Sequence, residues 1–332
     1  MTLTRAGTSD TAIEVPKPRS PHHLSSLLPR IAVGMALVIT LSSCTSLAGA
    51  SSSSDKVLSI VAGENEYGNI AQQIGGRFVH VSSIMSNPNT DPHTYEVSPS
   101  VAQVVSGANL VIQNGLGYDS FLTKLLAASP APKRVVLNVQ NLLHLPSSTK
   151  NPHLWYSPTT MRIVSEVLER DLAHLEPAHK TYFQIQEKKF LISYNSLLSA
   201  IQRFKARFAG KSVATTEPVA DYLLAALGVQ VKTPWALQSA IMNGTDPSPQ
   251  SVTTENRLLS HHLVSALVYN VQVTDPLTQS FIDAARQAKV PIVAVYETMP
   301  SAASSYQSWM TLELTALRRA FSSHISTTGL DR

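Results

Sequence analysis

One cysteine stands in the whole chain, at position 44. A lone thiol excludes an internal disulfide, so an exported form of this chain must be stable without one. Charge is also scarce. Asp, Glu, Lys and Arg make up 14% of the 332 residues, the net charge is only +4, and no Lys/Arg run is longer than two. No basic footprint for nucleic acid results. Hydrophobic residues at 43% exclude a disordered chain. The sequence has no HExxH pair, no nucleophile elbow and no internal repeat of the solenoid kind.

Long apolar runs are missing too. The longest candidate, "IAVGMALVITL" (31–41), has 11 residues and follows a polar stretch with Arg5, Lys17, Arg19 and Arg30. A bilayer span needs about 20 residues, whereas a signal-peptide core needs about half that. The run ends in "LSSC", with small residues directly before Cys44. This pattern predicts a lipoprotein signal peptide over 1–43, lipidation of Cys44, and a Ser-rich tether over 44–56.

From residue 57 onward, short β-branched runs alternate with amphipathic stretches. The first set is "VLSIVAG" (57–63), "VHVSSIM" (79–85), "LVIQNG" (110–115) and "RVVLNV" (134–139). The second is "SVATTE" (212–217), "VQVKTPW" (229–235), "SALVYNVQV" (265–273) and "PIVAVYE" (291–297). Strand–helix–strand spacing predicts an α/β fold with two lobes, each a roughly four-stranded parallel sheet flanked by helices. Between the sets, residues 178–210 contain no proline, and their only glycine is the last residue. Apolar side chains there recur at Phe190, Leu191, Tyr194, Leu197, Leu198, Ile201, Phe204 and Phe208, a helical stripe. The expected plan is an N-terminal lobe over 57–177, one long rigid helix over 178–209, and a C-terminal lobe over 210–332.

Two loops share one pattern. In "NTDPHTYEVSPS" (89–100), His93 follows a proline, and Ser98-Pro99 reads as a helix start. In "KNPHLWYSPTTM" (150–161), His153 follows a proline and Ser157-Pro158 comes next in the same role. The second lobe offers acids: Glu217 and Glu297 lie where two apolar strands run out. Ligands of open α/β sheets bind at that edge. Two imidazoles and two carboxylates suit a divalent transition ion, and the two negative charges balance a +2 ion. Zn²⁺, Mn²⁺ and Fe²⁺ remain as candidates, since Ca²⁺ and Mg²⁺ prefer oxygen-only shells. Asp275 or water competes with Glu297 as fourth ligand. Asn65, Glu66 and Tyr67, just past the first strand, are expected partners for the histidines' second N–H. Tyr306 and Trp309 read as core or lobe-closing residues.

The motifs "DPHTYEVSPS", "NPHLWYSP", "TTEPVADYLLAALG" and "ETMPSAASSYQSWM" make the sequence resemble a known family. It is that of the metal-binding lipoproteins of bacterial zinc and manganese ABC importers, in the cluster with a rigid linking helix. The resemblance covers nearly all of residues 57–320. It implies two α/β lobes with the ion between them, and its metal ligands fall on His93, His153, Glu217 and Glu297. It further implies a monomeric solute-binding protein, not an enzyme, held at the outer face of the cytoplasmic membrane through Cys44. There it would capture Mn²⁺ or Zn²⁺, less readily Fe²⁺, and deliver it to an ABC permease. The chain departs from the family pattern at Asn151 and Ser157, where acids are common, and between residues 116 and 150, where only His144 stands in place of a His-rich loop. Glu217 and the missing loop lean towards manganese. A mononuclear metal hydrolase and a surface adhesin are the alternatives.

Overall fold

The computed structural model describes residues 56–87, 95–300 and 303–330. The expected signal peptide, Cys44 and His93 lie outside these residues. All eight predicted strands form. They are β1 (Leu58–Glu64), β2 (Val79–Met85), β3 (Leu110–Gln113), β4 (Val135–Asn138), β5 (Ser212–Thr215), β6 (Gln230–Val231), β7 (Leu267–Asn270) and β8 (Ile292–Val295). The helices are α1 (Asn65–Gly75), α2 (Pro99–Ser106), α3 (Ser120–Ala128), α4 (Val139–Leu142), α5 (Thr160–Leu175) and α6 (Lys180–Phe208). After these come α7 (Asp221–Ala226), α8 (Trp235–Met242), α9 (Pro249–Ser260), α10 (Pro276–Gln287) and α11 (Tyr306–Ser323).

Two four-stranded parallel sheets result, ordered β2-β1-β3-β4 and β6-β5-β7-β8. The order is the same in both. In each sheet the chain leaves the first strand to one side and returns on the other, which opens a crevice at the carboxyl ends of β1/β3 and of β5/β7. β3 and β8 are buried at every position, which helices on both faces of a parallel sheet require. On α1, Gly75 lets the helix sit directly on β2: a Cβ there would stand 2.2 Å from Val79 Cγ1.

The long helix is present with shifted ends. Pro177–His179 form a separate 3-10 turn, and α6 begins at Lys180. At 1.5 Å per residue its 29 residues span about 43 Å. Phe183, Phe190, Tyr194, Leu197, Ile201, Phe204 and Phe208 are its buried stripe. The helix packs against α1, α5 and α11, so it braces elements that follow both sheets. Tyr194 stacks on Phe190 at 5.4 Å and lies 6.2 Å from the Tyr306 ring.

The two Ser-Pro signals have different outcomes. Ser98 is the N-cap of α2 with Pro99 in its first turn, although the Ser98 hydroxyl meets Ser100 and not a backbone N–H. Ser157-Pro158 does not open a helix. The Thr160 N–H bonds to the Ser157 carbonyl and closes a turn, and α5 starts only at Thr160 with Thr159 as N-cap. The residues just before it, Leu154–Tyr156, already form a 3-10 turn, which uses the chain that a longer helix would need.

Candidate metal centre

His153 enters from the loop between α4 and α5 and is fully buried. Asn151 orients its ring. The Asn151 amide nitrogen donates to the Pro218 carbonyl at 2.8 Å, so its Oδ1 must face the histidine. Oδ1 accepts from the His153 backbone N–H at 3.0 Å and lies 2.8 Å from Nδ1. Oδ1 cannot donate, so Nδ1 carries a proton, and Nε2 is the ring nitrogen turned towards the acid. Nε2 lies 3.2 Å from Glu297 Oε2. Two electron-rich atoms at that distance repel unless a cation, a proton or a metal ion, lies between them. Tyr222 donates to the Asn151 carbonyl at 2.9 Å, so the turn holding His153 is tied to the chain just past Glu217.

Glu297 follows β8 and is 1% exposed. Its backbone N–H and that of Thr298 both donate to Gln272 Oε1, at 2.7 and 2.8 Å. Its carboxylate accepts from Tyr118 at 2.8 Å and from the Asn270 amide at 2.6 Å. Glu217, after β5, accepts from the same Asn270 nitrogen at 2.5 Å and is 3% exposed. One amide therefore holds both carboxylates, and the second sheet supplies all three residues from the ends of β5, β7 and β8.

The structure joins His153 to Glu297 directly and Glu217 to Glu297 through Asn270, while His93 lies outside the described residues. Among the described residues, no group of three His, Cys, Asp or Glu is placed to hold a metal ion. Asp275, the rival fourth ligand, is elsewhere employed: its carboxylate accepts from Thr278 N–H at 2.7 Å in the capping box of α10. Asn65, Glu66 and Tyr67 are not the partners of His153, which is Asn151. Asn65 instead clasps Met299, donating to its carbonyl and accepting from its N–H, both at 2.9 Å. Tyr67 donates to Asn114, which donates on to the Pro152 carbonyl beside His153. Tyr306 and Trp309 are core, as expected: Tyr306 donates to the Trp155 carbonyl at 2.6 Å, and Trp309 to the buried Glu313 at 2.9 Å. Burial pushes that carboxyl up to about 8.

Asn270, Gln272 and Tyr118 were not identified from the sequence. Asn270 carried one usable signal, an amide inside the largely apolar run 265–273. Tyr118 follows Gly115, Leu116 and Gly117, all with positive φ. Asp119 closes that turn by accepting from the N–H groups of Asn114 and Gly115. Burial raises the Asp119 carboxyl to about 6. Burial first, and then the Glu297 charge, push the Tyr118 hydroxyl well above its usual value, so it stays a donor. Beside it opens a cavity of about 490 Å³ lined by Tyr118, Lys150 and Pro152 from one side and Trp235 and Met242 from the other.

Asn151 gives a direct test. Replacing it by alanine frees the imidazole to rotate and to change tautomer. Metal affinity is expected to fall about 10- to 100-fold, the usual cost of losing a histidine's orienting partner. Asn151→Asp retains the acceptor and is expected to recover most of the affinity in a chelator competition.

Relatives and solved structures place the chain by sequence and by fold. The manganese ABC transporter substrate-binding lipoprotein PsaA of Streptococcus pneumoniae is 24% identical over 286 residues, covering 80% of this chain and 87% of its own. The fold matches that of the periplasmic zinc-binding protein TroA from Treponema pallidum, with a TM-score of 0.67 at 17% identity over 81% of this chain and 99% of that one. It also matches the substrate-binding protein FpvC from Pseudomonas aeruginosa in complex with Mn²⁺, with a TM-score of 0.66 at 20% identity over 80% and 98%. The sequence pattern described as zinc-uptake complex component A, periplasmic, spans residues 60–320, and the chain belongs to that family.

Proposed function

We propose that this chain is the extracytoplasmic solute-binding protein of a metal ABC importer. It captures one divalent transition ion, Mn²⁺ or Zn²⁺, between its two sheets and presents it to the permease. The ligands are His93, His153, Glu217 and Glu297. One observation carries the reading: a buried histidine, oriented through Nδ1 by Asn151, turns its Nε2 to a buried carboxylate oxygen. The charge balance supports it, because two carboxylates and neutral imidazoles around a +2 ion leave no net charge to bury. Attachment through a lipidated Cys44 and a monomeric state complete the proposal. The relatives described above are transport proteins, and four protein ligands leave little room for a substrate, so the hydrolase and adhesin alternatives are set aside.

Thermal unfolding of metal-stripped protein from residue 45 onward tests this. A ligand at 100 times its Kd adds ~2.7 kcal/mol to stability, a shift of several degrees. Mn²⁺ and Zn²⁺ are each expected to raise the melting temperature, and Mg²⁺ to leave it unchanged. No shift with any of the three would remove the metal-carrier reading.

A further inference from the structure

A groove lies between the linking helix and the last helix, away from the carboxylates. α6 ends at Phe208 and leads into β5 at Ser212. Just after α11, the Ser326 hydroxyl accepts from the first N–H of β8, at Ile292. The last turns of both helices therefore stand at the amino edge of the second sheet, whereas Glu217 and Glu297 follow the carboxyl ends of β5 and β8. The groove has a volume of about 440 Å³, within the range of small-ligand pockets.

The helical period explains its floor and its rim. Arg203, Phe204, Arg207 and Phe208 share one face of α6, and Leu314 and Arg318 share one face of α11. Small side chains at Ala200, Thr311 and Thr315 leave the space between the two faces open. Both threonine hydroxyls donate within their own helix, Thr311 to the Gln307 carbonyl at 2.7 Å and Thr315 to the Thr311 carbonyl at 2.8 Å. The floor is aromatic and well packed. The Phe204 and Phe208 rings are 4.9 Å apart, and Phe321 packs on them at 5.8 and 5.7 Å.

The rim is cationic. Among the described residues, Arg203, Arg207 and Arg318 have no ion pair and no hydrogen bond. No acid tempers them. The chain has no Asp or Glu between Lys188 and Lys211, and Glu313, the single acid of α11, is 0% exposed and accepts from Tyr156 and Trp309 in the core. Compensation of the helix dipole accounts for Arg207, in the last turn of α6, but not for Arg203 or Arg318, which lie further in. Guanidinium groups are strong partners of carboxylate and phosphate oxygens.

We propose that this groove binds a single-chain anionic amphiphile, its carboxylate or phosphate head between the guanidiniums and its chain on Phe204, Phe208 and Leu314. One free molecule fits better than a bilayer surface. The three apolar side chains are recessed, at 6%, 7% and 6% exposure, so a chain must enter to reach them. A face that seats on a membrane carries its apolar side chains outward instead. Burial of the chain's methylenes supplies affinity, and the arginines select the charge.

Isothermal titration calorimetry of the full chain tests this, with decanoate and decyl phosphate as probes and decanol, acetate and inorganic phosphate as controls. One equivalent of probe is expected to bind at least about tenfold more tightly than decanol, because hydrogen bonds to charged groups are the strong ones. Acetate and inorganic phosphate, which have no chain, are expected to show no binding. Arg203→Gln combined with Arg318→Gln should bring the probes down to the level of decanol; both side chains are exposed, so the fold is kept. Ala200→Phe keeps every charge and fills the groove, and is expected to abolish binding. Should it fail to fold, Thr315→Phe blocks the same space with the same expectation. Absence of probe binding, many molecules bound per chain, or binding that survives these variants overturns the proposal. So does binding to phosphatidylglycerol vesicles by a chain that ignores both monomeric probes, which would make the arginines a membrane contact.

Discussion

His153→Ala is expected to lower the affinity for both Mn²⁺ and Zn²⁺ by more than about 100-fold, beyond the range typical of losing an orienting partner. The argument starts from burial. A histidine with no solvent access must be satisfied at both nitrogens. Asn151 accounts for Nδ1 and leaves Nε2 as the donor atom for an ion. Alanine removes that donor and leaves Glu217 and Glu297 to repel each other with one imidazole fewer around the ion. The fold should survive, because the backbone N–H of residue 153 keeps its bond to Asn151 and the loop stays held by Tyr222 and Asn114. Trp155 lies 5.3 Å from the His153 ring, so its fluorescence reports binding directly. Full affinity in the alanine variant would show that His153 is only a core residue.

Glu297→Gln should have two effects, one on stability and one on metal binding. Glutamine has the same shape, and the backbone contacts with Gln272 do not depend on the carboxylate. Its oxygen can still accept from Asn270, but the oxygen that Tyr118 and His153 share becomes an NH₂ group. A charge-assisted contact is exchanged for a neutral one, so metal-free protein is expected to melt at a lower temperature, by about 1–3 kcal/mol of stability. Metal binding is expected to fall as far as in His153→Ala, because the charge that neutralises the ion is gone. A variant that keeps full metal affinity would contradict the assignment. The two measurements, unfolding without metal and affinity with it, use the same sample.

Much of this was legible in the sequence. Strands such as β3 and β8 are buried on both faces, and continuous β-branched runs have few other places to go. The linking helix showed itself through its apolar period and through the absence of proline. The acids at positions 217 and 297 were found because apolar runs end there. Side-chain amides were harder. Asn270 and Gln272 have the composition of turn residues, and only the folded chain shows one amide nitrogen reaching two carboxylates across sequence separations of 53 and 27 residues. Asn151 was read as a departure from an acidic pattern, whereas its neutral amide serves two loops at once, donating to Pro218 and accepting from His153. Ser157-Pro158 misled because a Ser-Pro pair serves a closed turn as well as a helix start. Asp275 shows the reverse case: its Asp-Pro-x-Thr spacing is a capping box, and the cap engages the carboxylate.

The central claim is that one transition ion sits between the two sheets, on imidazole and carboxylate donors from both. Crystals of the protein loaded with Mn²⁺, measured for anomalous scattering at the manganese edge, test it most directly. The account predicts a single strong peak at about 2.0–2.3 Å from His93, His153, Glu217 and Glu297, in line with ordinary metal–ligand distances. A peak at any other set of side chains, or none in protein that binds the metal in solution, would contradict it.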